Sequence, residues 1–131
     1  MKLALAGLNH RPYPGIIIDQ TKVYEMAKYV TGSDRHFCWL AIHEGKAVAA
    51  LTALVEPMTF HRRKQASVIQ LWTEKPGCGV KLMRLFLAWA RAKPIIRAIV
   101  VTLEAGIDER IGTLLGRMGL TLQAPVYMET R

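Results

Sequence analysis

Apolar residues along this chain change spacing several times, and each change marks an element. From Asp19 a polar-led segment places Val23, Met26, Ala27 and Val30 at i, i+3, i+4 and i+7, the period of a helix with one buried face. Asp19 is its expected N-cap and Gly32 its stop. Phe37 to His43 and Lys46 to Val55 then read as two strands joined at Glu44-Gly45, a hairpin turn. The second strand is apolar on both faces, which predicts a central position with helices covering both sides of the sheet. Val68 to Thr73 is a further strand. The segment Val80 to Ala92 carries Leu82, Leu85, Phe86 and Trp89 on one helical face and Lys81, Arg84 and Arg91 on a narrow polar stripe. Ile95 to Leu103 predicts a buried strand, and Ile107 to Met118 a helix ended by Gly119. At the margins, Lys2 to Leu8 and Leu120 to Glu129 read as strands, the latter broken at Pro125. The expected fold class is α/β, of the mixed α+β sheet kind: a central twisted sheet with helices on both faces.

Composition narrows the function classes. With 51% hydrophobic and 21% charged residues in 131 positions, the chain is expected to be one globular domain, residues 1–131. The longest uncharged apolar run, Ala47 to Val55, is too short to span a bilayer. Asn9-His10-Arg11 interrupts the start too early for a secretory signal, so a cytoplasmic protein with no membrane partner is expected. Cys38 and Cys78 make no disulfide framework, and no Cys or His pair has metal-site spacing, so no metal is expected. The net charge of +8 favours anionic partners without choosing among nucleic acid, acidic proteins and polyphosphate cofactors. Its densest patch, His61-Arg62-Arg63-Lys64, has the look of a solvated loop, and no nucleic-acid motif accompanies it.

The chemistry concentrates where the strand Val68–Thr73 meets the following helix through Glu74-Lys75-Pro76-Gly77-Cys78-Gly79. A helix start leaves its first N–H groups without intrahelical partners at the positive end of the dipole. Gly77 and Gly79 permit unusual dihedrals and close approach of the backbone, so a phosphate could rest on those N–H groups. The candidate activity is binding of a phosphate-bearing cofactor; the simpler alternative is a tight strand-to-helix connection.

In element order and in this turn the chain resembles the GNAT superfamily of acyl-CoA N-acyltransferases, mainly between Val68 and Leu120. The family turn runs Arg or Gln, two residues, Gly, one residue, Gly or Ala; here Gly77 and Gly79 match, and Leu82 fits the apolar helix position after it. Asp108 and Gly119-Leu120 stand where the family has an Asn and a Gly-Phe pair around a later helix. The resemblance implies acetyl-CoA as cosubstrate, its pyrophosphate on the turn and its pantetheine arm between two splayed parallel strands, here Val68–Thr73 and Ile95–Leu103. The implied cofactor-binding set is Leu71, Trp72, Thr73, Lys75, Gly77, Cys78, Gly79, Val80 and Lys81. Two departures stand out: Glu74 occupies the Arg or Gln position, and Leu115 falls where many members carry a Tyr that protonates the departing thiolate. Leu has no proton to give. Lys75, Lys81 and Arg84 are the cations available to offset Glu74.

Acyl transfer to an amine needs a proton acceptor. Glu56, just beyond the central strand, and Gln70, on the strand that often holds the family's base or its water, are the candidate catalytic residues; Ser67 and Glu104 are further possibilities. The implied function is an N-acetyltransferase acting on a small-molecule or peptide amine, as a monomer or homodimer. Two alternatives stay open: a GNAT-fold module without chemistry that serves as a structural or binding protein, and a basic nucleic-acid-binding protein.

Overall fold

The computed structural model describes residues 19–102 and 109–122. The strands expected at Lys2–Leu8 and Leu120–Glu129, and the candidate base Glu104, fall largely or wholly outside these residues. Among the described residues three helices and four strands follow one another: α1 (Gln20–Thr31), β1 (Phe37–His43), β2 (Lys46–Pro57), β3 (Lys64–Thr73), α2 (Cys78–Arg91), β4 (Ile96–Val101) and α3 (Glu109–Arg117).

Local chemistry sets these boundaries. Asp19 caps α1, its Oδ1 accepting from the N–H groups of Thr21 at 2.9 Å and Lys22 at 3.2 Å, and Gly32 follows the last residue as expected. Glu44 and Gly45 join β1 to β2 with φ of 51° and 75°. Positive φ at both turn residues matches the right-handed twist of the flanking strands, which is why this two-residue connection closes a hairpin.

The four strands form one sheet in the order β1-β2-β3-β4. β1–β2 and β2–β3 are antiparallel, and β3–β4 is parallel. β2 is therefore central, as its two apolar faces predicted, with Ala49 to Ala53 buried throughout. β3 begins at Lys64 and not at Val68. Its polar first residues pair with the end of β2, Glu56 with Gln65 and Pro57 with Lys64, so pairing overrides the local composition that suggested a loop.

α2 lies across one face of the sheet. Leu82, Met83, Phe86, Leu87 and Ala90 pack there with Phe37, Leu51, Ala53, Ala66 and Leu115. Each large side chain buried in this way contributes roughly 1.5–3 kcal/mol. Leu85, expected on this face, is 46% exposed, and Met83 takes the inward position. The apolar arc is centred about one residue later than the expected face, toward Met83, Leu87 and Ala90. β4 is also less covered than expected: Arg97 and Val100 are exposed.

Candidate functional site

β3 runs on past the last residue of β4, Val101. The parallel ladder runs from Lys64–Ile96 to Val68–Val101 and is not continued beyond Val68 among the described residues. A bulge sits at the same point. Thr52 pairs with Gln70 while Ala53 pairs with Val68, so Ile69 is the extra residue. A bulge resets the alternation of the strand and increases its twist. Before it, Ala66 and Val68 face α2; after it Leu71 does. Ser67, Gln70 and Trp72 consequently share the opposite face, a grouping that uninterrupted alternation from Val68 would not produce.

Beyond the bulge β3 leads into the glycine turn. The N–H of Glu74 donates to the Val48 carbonyl at 2.7 Å, the Thr73 hydroxyl to the Lys75 carbonyl at 2.8 Å, and the N–H of Cys78 to the same carbonyl at 3.2 Å. These bonds fix the turn from both sides. Gly77, the N-cap of α2, has φ 86° and ψ −22° and supplies no side-chain cap. Only glycine adopts this left-handed conformation without strain. A Cβ on Gly79 would come no closer than 3.4 Å to Thr73 Cγ2, an ordinary contact. The fold therefore does not itself require glycine there, although the residue is buried. The first helical bond runs from the Lys81 N–H to the Gly77 carbonyl at 3.2 Å, which leaves the N–H groups of Gly79 and Val80 without intrahelical acceptors.

Around this turn the side chains are distributed unevenly. Lys75 Nζ lies 3.0 Å from both ring nitrogens of His43, and His43 Nε2 is 3.7 Å from a Glu44 carboxylate oxygen. The cation expected to offset Glu74 is thus held against the end of β1. Sequence spacing does not reveal that contact; the hairpin, which returns β1 beside the turn, creates it. Glu74 and Lys81 are exposed, and Arg84 lines a groove between α2 and α3. Cys78 is half-buried and packs on the core, as befits a small apolar residue. Trp72 is 6% exposed, and its indole N–H is buried without an acceptor among the described residues. An orphaned donor of this kind costs about 1–3 kcal/mol.

At the other end of β3 a polar network has formed. Ser67 Oγ donates to Glu56 Oε1 at 2.7 Å, and Gln65 Nε2 reaches Glu56 Oε1 at 3.3 Å and Ser67 Oγ at 3.1 Å. Glu56 and Ser67 are therefore joined in one network close to the last β3–β4 pair, Val68–Val101. Gln65 was not among the residues expected; counting back from the Pro57–Lys64 pair places it opposite Glu56. Gln70, half-buried, stands across from Thr52 on the same face. Leu115 is 7% exposed within the α2 core. His36 Nδ1 accepts the Val55 N–H at 3.0 Å and so ties β1 to β2. Among the described residues no group of His, Cys, Asp and Glu could hold a metal ion, and no helix is long and apolar enough to cross a membrane.

The sequence matches no protein-family model and no curated relative. The fold, by contrast, is shared with solved acetyltransferases. Glucosamine-6-phosphate N-acetyltransferase from Arabidopsis thaliana superposes with a TM-score of 0.71 at 11% identity, covering 96% of this chain and 87% of the other. An aminoglycoside acetyltransferase from an uncultured soil metagenomic sample gives 0.67 at 16%, covering 99% and 88%. A GNAT family acetyltransferase from Staphylococcus aureus gives 0.59 at 13%, covering 89% and 81%. With its mixed sheet, its parallel β3–β4 pair and these structural neighbours, the chain has the GNAT fold.

Proposed function

We propose that this chain is an acetyl-CoA-dependent N-acetyltransferase. The observation that carries the reading is the turn itself: a left-handed Gly77, an uncapped helix start, and a Gly79 that the protein's own packing does not demand. Such a cradle suits a pyrophosphate, whose oxygens accept from free N–H groups in the field of the helix. The residues present also fit the arm of the cosubstrate. β3 has a stretch, from Ile69 to Thr73, with no β4 partner among the described residues, and the buried Trp72 N–H has no acceptor among them.

When bound, acetyl-CoA supplies an acetyl group activated as a thioester. The chain's own part is to position the amine and remove its proton. Ser67, next to the vertex between β3 and β4, already donates to Glu56. An amine proton can pass to Ser67 Oγ as the hydroxyl proton moves to the Glu56 carboxylate. The amine nitrogen forms its bond to the carbonyl carbon, the carbon–sulfur bond breaks, and coenzyme A leaves as thiol or thiolate. Leu115 donates nothing, so that leaving group takes its proton from water. The acceptor is a small-molecule or peptide amine, in keeping with the aminoglycoside and glucosamine-6-phosphate acetyltransferases that share the fold.

A second reading has one specific observation behind it. Leu115 is packed in the core, and a GNAT fold without its acid can serve as a binding module. Thermal-shift titration with acetyl-CoA, followed by thiol release over a panel of amines, separates the two. Micromolar binding, about −8 kcal/mol, raises the melting temperature through preferential stabilisation of the native state. Binding with turnover supports the enzyme, binding without turnover the module, and no shift at saturating ligand removes both.

A further inference from the structure

α2 and α3 leave between them an open groove of ≈ 450 Å³. Leu87, Ala88, Leu114 and Met118 give it an apolar lining, and Arg84, Arg91 and Arg117 place three guanidinium groups along it. Its volume falls within the roughly 300–1,000 Å³ typical of small-molecule sites.

The arginines are not spread evenly. Arg84, Leu87, Ala88 and Arg91 stand at i, i+3, i+4 and i+7 and share one face of α2. That sets Arg84 and Arg91 two turns apart, about 10 Å along the axis. Arg91 and Arg117 occupy the last turns of their helices, and Arg91 Nη2 donates to the Met118 carbonyl at 2.7 Å, which fixes it at this end. Charge at helix C-termini complements the macrodipole and accounts for these two. It does not account for Arg84, in the middle of α2. Neither Arg84 nor Arg117 meets a carboxylate among the described residues, and both are exposed. The groove is thus positive at both ends and apolar between.

We infer that this groove binds an elongated organic anion with an acidic group at each end of an apolar body, an α,ω-dicarboxylate in chemical class. A carboxylate at each end can meet a planar guanidinium through paired hydrogen bonds, while the chain between covers Leu87, Ala88 and Leu114. The Arg91 end of the groove lies about 18 Å along α2 from Gly79, and the Arg84 end, about 8 Å from it, is the one nearer the glycine turn.

Calorimetric titration with α,ω-dicarboxylates of increasing length, against the matching monocarboxylates, tests the inference on the intact protein. Affinity is expected to peak at the length that spans Arg84 and the Arg91–Arg117 end. The monocarboxylate binds about fivefold more weakly, and Arg84→Gln and Arg117→Gln each lower dicarboxylate affinity about fivefold, the scale of one exposed ion pair. Arg91 is left in place because it holds the Met118 carbonyl. Both variants keep the wild-type melting curve, and saturating acetyl-CoA leaves dicarboxylate affinity unchanged. The inference is overturned by absence of binding throughout the series, by equal binding in wild type and both variants, or by displacement with acetyl-CoA, which would make the groove part of the other site.

Discussion

The two ends of β3 are built from different materials. At its C-terminal end, the N–H groups of Gly79 and Val80 have no intrahelical acceptors, Glu74 and Lys81 are exposed, and Lys75 is engaged by His43. At its N-terminal end the backbone is fully laddered, and the chemistry lies in side chains, Glu56, Gln65 and Ser67, brought together across two strands. The first end offers a rigid array suited to a ligand part that does not react. The second offers a carboxylate held by two side chains, the group proposed to take the amine proton. The bulge at Ile69 and the end of the β4 ladder at Val68 fall between them, so the proposed acetyl-CoA would lie along the stretch of β3 that joins the two.

The largest effect expected from this contrast concerns the backbone end. Gly79→Glu puts a carboxylate into the space left for phosphate, and acetyl-CoA affinity should fall at least about a hundredfold, on the order of 3 kcal/mol. The fold should survive, because a Cβ there meets only the Thr73 methyl group at contact distance. Calorimetric titration beside a melting curve checks both halves. Unchanged binding would remove the turn from the cofactor site and leave the side-chain end standing alone.

A smaller loss is expected at the other end. Glu56→Gln keeps the shape of the network and removes the proton acceptor, so kcat should drop by about 10²-fold, within the usual range for general base catalysis. Acetyl-CoA affinity should not change. Ser67→Ala should cost less, because water can replace a hydroxyl, and the double variant should be no slower than Glu56→Gln alone if the two act as one unit. Additive losses in the double variant would break the relay while leaving each residue a separate role.

The same contrast explains what the sequence disclosed. Glycines mark a backbone site directly, so the turn, the N-cap at Asp19 and the hairpin at Glu44-Gly45 were all legible from residue types at fixed offsets. The network around Glu56 was legible only in part. Glu56 and Ser67 were candidates, but their contact depends on the β2–β3 register, and register follows from where β3 begins. Local composition placed that start at Val68, four residues late, because Lys64 and Gln65 are strand residues by pairing and not by propensity. The bulge at Ile69 left no mark at all, since its neighbours Val68 and Leu71 are as apolar as a regular strand would have. Leu85 was misplaced for a similar reason: a helix of many apolar residues has more than one arc that fits, and contact with the sheet selects one.

The smallest effect tests whether the missing acid can be restored at the position the family resemblance marks. Leu115 is 7% exposed and packs with Phe86, Leu87 and the sheet's Leu51 cluster. A tyrosine there must fit a larger ring and a hydroxyl into a filled core, at a cost of about 1–3 kcal/mol. Burial of the hydroxyl without an acceptor adds to that cost. Leu115→Tyr should therefore lower the denaturant midpoint with little change in the slope, and leave thiol release no faster than wild type. A rate gain with the stability loss would mean that the ring turns out of the core toward the vertex between β3 and β4. In that case the end of β3 bearing Glu56 would gain a proton donor from α3, and the division of labour between the two ends would rest on three elements instead of two.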